Sequence, residues 1–349
     1  MRALVCHAPE DLRIESFEPE AFGANQLRVR VAYGGICGSD LHYFQHGGFG
    51  VVRIKEPMVL GHEISGIIEA VGEAVKGWSV GQRVAVSPSR PCGVCRFCLL
   101  GKPNHCLDMR FYGSAMRFPH VQGAFRESLV VNTSQVYAVA PGVSLSKMSL
   151  AEPLSVGLHA IQRAGSVFGK KVLVTGCGPI GSLLIGALRR AGAAQIVAVD
   201  LADFPLGVAK KMGADQTINL ALQPDALAPF ATDKGYFDAM FEASGSDRAL
   251  RAGMDVVSPG GVIVAVGLAN GEINFALNAL VAREIDLRGT FRFHAEFEVA
   301  VGFINQGLID VSPVISHCLG FDNAMQAFRL AGDKKQAMKV QIDFATGEA

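Results

Sequence analysis

Apolar and polar residues alternate with the period of a strand in the first third of the chain. Leu27, Val29 and Val31 are separated by polar residues, as expected for a strand that is buried on one face. Residues 64–71 and 83–86 are further short segments rich in β-branched side chains, with glycines among and around them. This part of the chain is therefore predicted to be β-rich.

From about residue 153 the pattern changes, and short apolar runs alternate with segments of helical period. Predicted strands cover 171–175, 195–200, 237–242 and 261–267, and predicted helices cover 179–191, 206–212 and 247–257. Strands that alternate with helices indicate βαβ units and a parallel sheet.

Mixed elements return after about residue 288, with predicted helices over 295–305 and 322–330 and a closing strand over 339–344. We therefore predict an α/β protein in which a doubly wound parallel-sheet domain is inserted into a β-rich domain. The boundaries that follow are 1–152 for the first part of the β-rich domain, 153–287 for the inserted domain and 288–349 for the return.

Length and charge restrict the classes of function. The 349 residues suffice for two domains, and equal numbers of basic and acidic residues, 32 of each, leave a formal net charge of +0. Such a chain has no basic field to attract nucleic acid or an anionic membrane. Glycines interrupt the uncharged stretch 172–188, which favours a buried strand and helix over a membrane span. Without a recognisable signal peptide, the chain is expected to be cytoplasmic.

A glycine-rich turn lies between a predicted strand and a predicted helix. It reads Gly176-Cys177-Gly178-Pro179-Ile180-Gly181. The first glycine permits a tight turn, the second lets the backbone approach a pyrophosphate, and the third lets the helix pack on the strand. The N–H groups of the helix N-terminus then face the phosphates. We predict a dinucleotide site here and include Val266, at the end of a later strand; the alternative is an ordinary strand–helix turn.

An acidic residue at the end of the next strand indicates which dinucleotide binds. Asp200 lies 19 residues beyond Gly181, where a carboxylate can accept hydrogen bonds from the adenosine ribose. It would repel a 2′-phosphate, and residues 201–204 provide no Arg or Lys to bind one. NAD is therefore predicted over NADP. The alternative is an aspartate that only caps the turn.

Four of the eight cysteines lie within fifteen residues. They are Cys92, Cys95, Cys98 and Cys106. Four thiolates in one small loop predict a structural zinc site in a lobe over 92–106. An iron–sulfur cluster is the competing interpretation, but the last gap of seven residues does not fit the ferredoxin spacing. Reduced surface thiols are the simplest alternative.

A second set combines sulfur, nitrogen and oxygen donors. Cys37, His62, Glu63 and Glu152 would leave one position on a zinc ion for water or substrate, which is typical of a catalytic site. Ser39 and His42 flank the cysteine and could relay the substrate proton outward. Taken singly, each residue has a simpler interpretation: a packed core residue, a turn hydroxyl or a surface side chain.

Together these motifs resemble the zinc-dependent medium-chain dehydrogenase/reductase family over the whole chain. Glu63 and Glu152 are similar to its polyol dehydrogenase branch, and residues 109–121 resemble a sugar-acid group within that branch. The resemblance implies a GroES-like catalytic domain around a Rossmann domain, with the active site in the cleft between them. It also implies that Cys37, His62 and Glu63 hold the catalytic zinc, with Glu152 as a fourth or water-bridged ligand.

The same resemblance implies two zinc ions per chain, oxidation of a secondary hydroxyl on a small sugar acid or polyol, and a homodimer or homotetramer. A sugar acid carries a carboxylate that a cation in the cleft would bind. We predict Arg292 for that role and place Tyr43 and Phe111 in the pocket wall. Arg110 and Arg117 lie in the same distinctive segments, and a salt bridge is the alternative role, especially for Arg117.

Other classes of function are less consistent with the sequence. A catalytically silent relative would be expected to have a broken metal set, and a zinc-storage or zinc-finger protein would leave the dinucleotide turn unexplained. Within the enzymes, a sorbitol- or xylitol-type dehydrogenase and an L-threonine 3-dehydrogenase are the alternatives, because the motifs do not separate their substrates.

Overall fold

The computed structural model describes residues 1–269, 271–274 and 276–345. Its strands are β1 Arg2–Ala8, β2 Asp11–Ser16, β3 Gln26–Gly35, β4 Gly48–Phe49, β5 Val52–Arg53, β6 Met58–Val59, β7 Glu63–Val71, β8 Arg83–Val86, β9 Ser89–Arg90, β10 Arg110–Phe111, β11 Ser128–Asn132, β12 Val136–Ala138, β13 Lys171–Thr175, β14 Gln195–Asp200, β15 Gln216–Asn219, β16 Phe237–Glu242, β17 Val257–Ala265, β18 Asp286–Gly289, β19 Ile315–Gly320 and β20 Lys339–Asp343. Its α-helices are α1 Gly38–His46, α2 Arg96–Leu99, α3 Leu145–Met148, α4 Ala151–Ala164, α5 Pro179–Arg190, α6 Asp203–Lys211, α7 Asp247–Val256, α8 Leu277–Ala282, α9 Glu296–Asn305 and α10 Ala324–Ala331. None of these helices combines the length and apolar character needed to cross a bilayer.

A mixed sheet organises the first part of the chain. In the described residues its order is β12–β8–β7–β3–β20–β19, with β11 also paired to β3. The alternating residues Leu27, Val29 and Val31 of β3 are fully buried, as their period predicted. The last strand returns beside β3, since Gln341 pairs with Gly35. Strand β20 therefore lies next to the segment that leads into Cys37.

The second sheet is parallel, as predicted. Its order is β15–β14–β13–β16–β17–β18, which is the 3-2-1-4-5-6 arrangement of a doubly wound Rossmann sheet. The direction of winding reverses between β13 and β16, and ligands of such sheets bind outside the carboxyl ends of the strands at that point. The glycine turn that follows β13 lies there.

Two elements begin three or more residues before their predicted start, each for a local reason. Strand β17 begins at Val257, four residues early, because Val257 already pairs with Phe237 before a register shift. Helix α6 begins at Asp203 rather than 206. Asp203 in its first turn interacts favourably with the helix dipole, and Pro205 loses no hydrogen bond so close to the helix start.

Helix α4 contacts both parts of the structure. It packs against α5 and α9 and also contacts strands β7 and β17, one from each large sheet. Its buried residues and those of the parallel sheet form one continuous apolar core. Because Glu152 occupies the first turn of this helix, its carboxylate is placed close to the junction of the two sheets.

Candidate active site

Three of the predicted zinc ligands converge at the start of α1 and β7. Cys37 is the N-cap residue of α1, and His62 and Glu63 stand where β7 begins. One donor atom from each residue lies within 4.8 Å of the other two. His62 and Glu63 are almost fully buried. The structure therefore assembles a sulfur, a nitrogen and an oxygen donor in one small space.

Asp40 holds the two segments of this cluster together. Its carboxylate accepts hydrogen bonds from the N–H of Cys37 at 3.0 Å and from the N–H of Gly61 at 3.0 Å. It also lies 3.7 Å from Nδ1 of His62, and burial raises its pKa. Sequence reasoning missed this residue, although an acid three positions after an N-cap is the spacing of a capping box.

The donor set fits a zinc ion. Nδ1 of His62 and Oε2 of Glu63 are buried without a hydrogen-bond partner in the described structure, which is costly unless a ligand completes them. Gly35 keeps space open beside the carboxylate, because a Cβ there would lie 2.2 Å from Oε2 of Glu63. Mixed sulfur, nitrogen and oxygen donors suit zinc in a site with an open position.

A second residue missed by sequence reasoning is Lys339, at the start of β20. Its Nζ donates to Oε1 of Glu63 at 2.7 Å and to the carbonyl of Ile36 at 3.0 Å. Burial acts to lower the pKa of Lys339, but the charges of Glu63 and Cys37 outweigh it and leave that pKa raised. The available signal was a lysine in the predicted closing strand, where apolar residues are expected.

Glu152 lies near the cluster but outside the group of three converging donors. It is buried, and burial raises its pKa to about 8; the charge of His62 opposes this shift, and those of Glu63 and Cys37 add to it. Burial likewise raises the pKa of the Cys37 thiol to about 11. Burial therefore favours the protonated form of both groups, and a metal ion bound between them would favour the charged form.

Ser39 and His42 lie one helical turn apart on α1, directly after Cys37. Both are half-buried, and burial lowers the pKa of His42. The His42 ring lies 6.0 Å from the rings of His46 and Phe49. In the described structure no hydrogen bond joins Ser39 to His42, so their relay role stays a prediction.

The three predicted substrate residues lie together. Phe111 is buried with its ring 5.5 Å from that of His62, and the Arg292 guanidinium lies 4.2 Å from the Phe111 ring centroid. Tyr43 is buried, and its hydroxyl accepts a hydrogen bond from the N–H of Ala115 at 3.0 Å. Burial lowers the pKa of Arg292 to about 10, and the charges of Glu152 and Tyr43 oppose that shift.

The three arginines of the distinctive segments have different surroundings. Arg117 forms an ion pair with Asp108, as expected for a surface salt bridge, and Arg110 is exposed. Arg292 donates to the thioether sulfur of Met116 at 3.2 Å, and no carboxylate of the described residues forms an ion pair with it. Of the three, Arg292 is the cation available to an anionic ligand beside the donor cluster.

The four clustered cysteines converge in a separate lobe. Their sulfurs are 3.6 to 4.0 Å apart across three pairs, far beyond disulfide length. A tetrahedral zinc with Zn–S bonds of ~2.3 Å separates its sulfurs by about 3.8 Å. Backbone N–H groups, first that of Cys98, lower the pKa of Cys95 to about 6. This geometry fits a closed four-sulfur site.

The glycine turn has the shape that phosphate binding requires. Gly176 has a positive φ of 83°, and a Cβ on it would lie 2.7 Å from the backbone nitrogen of Ser244. A Cβ on Gly181 would lie 1.9 Å from the Gly176 carbonyl oxygen, whereas Gly178 faces open space. Pro179 and Ile180 begin α5, and Val266 follows β17. The open space at the second glycine is where a pyrophosphate would approach.

Asp200 is fixed against this turn. One carboxylate oxygen accepts from the N–H of Cys177 at 2.7 Å, and the other accepts from those of Leu201 and Ala202 at 2.7 and 3.2 Å. The aspartate therefore caps the turn. A carboxylate has about four acceptor positions, so capacity is left for a ribose hydroxyl.

This arrangement defines a zinc-binding dehydrogenase with a dinucleotide fold. Residues 23–141 match the family described as alcohol dehydrogenase GroES-like domain, and residues 179–306 match the zinc-binding dehydrogenase family. The chain belongs to the zinc-dependent medium-chain dehydrogenase/reductase family and is an NAD(P)-linked enzyme of the branch that contains polyol and sugar-acid dehydrogenases.

Similar proteins cover nearly the whole chain. An L-idonate 5-dehydrogenase (NAD(P)(+)) of Escherichia coli is 43% identical over 320 residues, which is 92% of each chain. A sorbitol dehydrogenase of Bos taurus is 34% identical over 97% of this chain and 95% of its own. The crystal structure of L-idonate 5-dehydrogenase from Escherichia coli superimposes with a TM-score of 0.94 at 40% identity, covering 98% of both chains.

Proposed function

We propose that this chain catalyses the NAD-linked oxidation of the C5 hydroxyl of L-idonate to 5-keto-D-gluconate, and the reverse reduction. The observation that carries the proposal is Arg292. It is a half-buried cation next to the donor cluster, stacked on Phe111, with no carboxylate partner in the described structure. A sugar-acid substrate would supply that carboxylate.

The similar proteins support the same substrate. The Escherichia coli relative named for L-idonate is 43% identical, and the Bos taurus relative named for sorbitol is 34% identical. Sorbitol differs from a sugar acid in lacking the carboxylate. An arginine without an ion-pair partner among the described residues therefore favours the acid over the polyol.

Cys37, His62 and Glu63 would hold the catalytic zinc, with Glu152 binding it directly or through water. When bound, zinc is a Lewis acid that lowers the pKa of a hydroxyl placed at the open position. NAD⁺ is the hydride acceptor of the reaction. Oxidation of the alcohol thus releases one hydride to the nicotinamide and one proton to the protein.

The remaining residues bind, orient and deprotonate the substrate. Arg292 binds the carboxylate with its planar fork and so orients the chain of hydroxyls. Tyr43 and Phe111 exclude water from that side of the pocket. Ser39 and His42 lie next to Cys37 and carry the released proton toward solvent.

We further propose NAD rather than NADP as the cofactor. The Gly176–Gly181 turn would bind the pyrophosphate, with Pro179, Ile180 and Val266 around the dinucleotide. Asp200 would accept a ribose hydroxyl and repel a 2′-phosphate. Asp203 adds a second carboxylate close by, at the start of α6.

The remaining parts of the proposal concern the whole chain. We divide it into catalytic segments 1–152 and 288–349 around an NAD-binding domain, 153–287. We assign a second, structural zinc to the four clustered cysteines, Cys92, Cys95, Cys98 and Cys106. We propose a cytoplasmic homodimer or homotetramer. Exposed apolar side chains near the edge strand β18 support self-association, since Val281 is 65% and Leu277 59% exposed.

The experiment is an initial-rate panel with zinc-loaded protein and NAD⁺, in which NADH formation is followed. L-Idonate, D-gluconate, sorbitol, xylitol, L-threonine and ethanol are compared by kcat/KM. We expect L-idonate to exceed sorbitol, xylitol and ethanol, which lack a carboxylate, by roughly tenfold or more, since one charged hydrogen-bonded pair contributes about 1.5–3 kcal/mol. D-Gluconate and L-threonine also carry a carboxylate, so they test recognition of the rest of the molecule. Higher kcat/KM on sorbitol or xylitol would contradict the acid assignment and leave the zinc dehydrogenase class intact.

A further inference from the structure

A buried lysine connects the two segments that carry the converging donors. Lys339 donates from Nζ to Oε1 of Glu63 at 2.7 Å and to the carbonyl of Ile36 at 3.0 Å. Ile36 directly precedes Cys37, and Glu63 directly follows His62. The side chains of Lys339 and Glu63 are 3% and 0% exposed. One ammonium group therefore bridges the backbone leading to the thiol donor and the carboxylate donor.

Pairing of the last strand fixes the position of this lysine. The N–H of Ile36 donates to the carbonyl of Val340 at 3.0 Å, and Gln341 pairs with Gly35 in the sheet. Lys339 thus stands at the start of β20, a strand that pairs with β19 on one side and with β3 on the other. Lys339 is also the one lysine with a fully buried side chain in the described residues.

The hydrogen bond from Lys339 distinguishes the two oxygens of Glu63. Oε1 accepts a hydrogen bond from the lysine, whereas Oε2 is buried without a hydrogen-bond partner in the described structure. Gly35 preserves the space beside Oε2, since a Cβ would lie 2.2 Å from it. Oε2 is therefore the oxygen that is free to bind a cation.

A buried carboxylate is costly unless a cation and hydrogen-bond donors lie against it. Nζ of Lys339 lies 2.7 Å from Oε1 of Glu63, and both side chains are almost fully buried. The lysine is therefore both the charge partner and the hydrogen-bond donor that hold this carboxylate in place.

We propose that Lys339 is a positioning residue for the catalytic zinc, fixing the Glu63 carboxylate with one oxygen directed to the metal. This inference rests on the proposed metal site. Lys339 touches neither substrate nor cofactor in this account and acts only through Glu63 and the Ile36 carbonyl.

The test measures zinc affinity rather than turnover. Wild-type protein, Lys339→Met and Lys339→Arg are loaded with zinc and titrated with a chelator of known affinity, and zinc per chain is counted. The zinc of the four-cysteine lobe serves as an internal reference, and Lys335→Met, at an exposed lysine of the same segment, is the matched control.

We expect Lys339→Met to weaken one of two sites by about 10- to 100-fold, the typical effect of losing a partner of a metal ligand. Lys339→Arg should restore most of that affinity, because it keeps the charge and the donors.

Three results would overturn the proposal in different ways. Two zinc ions per chain with unchanged affinity in Lys339→Met would contradict the role of Lys339 alone. Equal losses in Lys339→Met and Lys339→Arg would indicate packing rather than charge. One zinc per wild-type chain, held in the cysteine lobe, would overturn the catalytic metal site together with this inference. Should Lys339→Met fail to fold, Lys339→Gln removes the charge while keeping a polar N–H donor on a slightly shorter side chain, and the same loss of affinity at one of two sites is expected.

Discussion

Single residues show why the donor cluster has open space beside a buried carboxylate. Gly35 ends β3, and any Cβ at this position would collide with Oε2 of Glu63. The glycine is required by a side-chain neighbour rather than by a positive φ. Its role is therefore invisible in the turn-forming patterns through which glycines are usually interpreted from sequence.

We predict that Gly35→Ala removes the zinc that Cys37, His62 and Glu63 would hold. The methyl group lies 2.2 Å from Oε2, so Glu63 must move away from the cluster. Metal analysis of the purified variant should show about one zinc per chain fewer than the wild type. Gly38→Ala is the control, because a Cβ at Gly38 meets no atom within 4 Å. Full zinc content in Gly35→Ala would contradict the assignment of Glu63 as a ligand.

The pocket arginine supports a second prediction at this scale. Arg292→Ala should lower kcat/KM for L-idonate by roughly 10- to 100-fold, the effect of losing a charged hydrogen-bonded pair, mainly through KM. Sorbitol, which has no carboxylate, should lose much less. Arg117→Ala is the matched control, since that arginine already pairs with Asp108. An unchanged KM for L-idonate in Arg292→Ala would rule out this assignment.

Asp200 supports a third prediction. Asp200→Asn removes the charge that repels a 2′-phosphate while retaining one side-chain oxygen for the turn. We expect kcat/KM with NADP⁺, relative to NAD⁺, to rise by roughly tenfold or more, measured with one saturating alcohol substrate. Asp203→Asn, on the neighbouring helix, tests whether the effect belongs to one carboxylate. A cofactor ratio unchanged in Asp200→Asn would contradict the role of this residue.

At the scale of elements, a buried hydrogen bond between a histidine and a carboxylate joins α4 to α9. Glu296 accepts a hydrogen bond from Nδ1 of His159 at 2.9 Å and another from the N–H of His294 at 2.8 Å. Burial acts to raise the pKa of Glu296, but these partners outweigh it and lower the pKa to about 2. The pair fastens the helix that carries Glu152 to the segment that follows Arg292.

Ionised Glu296 should therefore stabilise the fold above the pKa of an unfolded glutamate, about 4.3, and progressively less as the pH falls toward 2. We predict that Glu296→Gln lowers the free energy of unfolding by about 1–2 kcal/mol at pH 7. The difference from wild type should shrink between about pH 4.5 and 2. Urea denaturation across this range measures it, with the exposed Glu298→Gln as control. A difference that is constant with pH would contradict the stabilising role of ionised Glu296.

The period of the apolar residues was sufficient to predict most strands and helices of the parallel-sheet domain. Strands 171–175, 195–200 and 237–242 have the predicted bounds, because buried parallel strands are short apolar runs with sharp ends. Contacts between distant elements carry no such signal. Glu296 lies 137 residues from His159, and Lys339 lies 276 residues from Glu63, so neither pair could be inferred from local pattern.

The same division holds for the candidate site: residues with a local sequence signal were predicted, and residues defined by distant contacts were missed. Cys37, His62 and Glu63 are recognisable because each is next to a glycine turn or a strand end that positions it. Asp40 and Lys339 were missed because their roles depend on the groups to which they hydrogen-bond. Sequence identifies donors well, whereas the residues that hold the donors in place emerge only from the folded chain.

At the scale of the whole molecule, the pocket unites segments from every part of the chain. Asn104, in the cysteine lobe, donates to the carbonyl of Phe291 at 3.1 Å, and the His105 ring stacks on Phe291. The lobe therefore contacts the residue before Arg292 through the two residues that precede Cys106. The four-cysteine lobe thus helps to position Arg292 through these contacts.

We propose that one pocket binds the reacting hydroxyl at the Cys37, His62 and Glu63 cluster and the substrate carboxylate at Arg292. A crystal structure of the zinc-loaded protein with L-idonate and a non-reactive NAD analogue would show both contacts at once. We predict the C5 hydroxyl at a zinc held by these three residues and the carboxylate within hydrogen-bond distance of Arg292. A zinc held by other residues, or a carboxylate directed away from Arg292, would contradict the account.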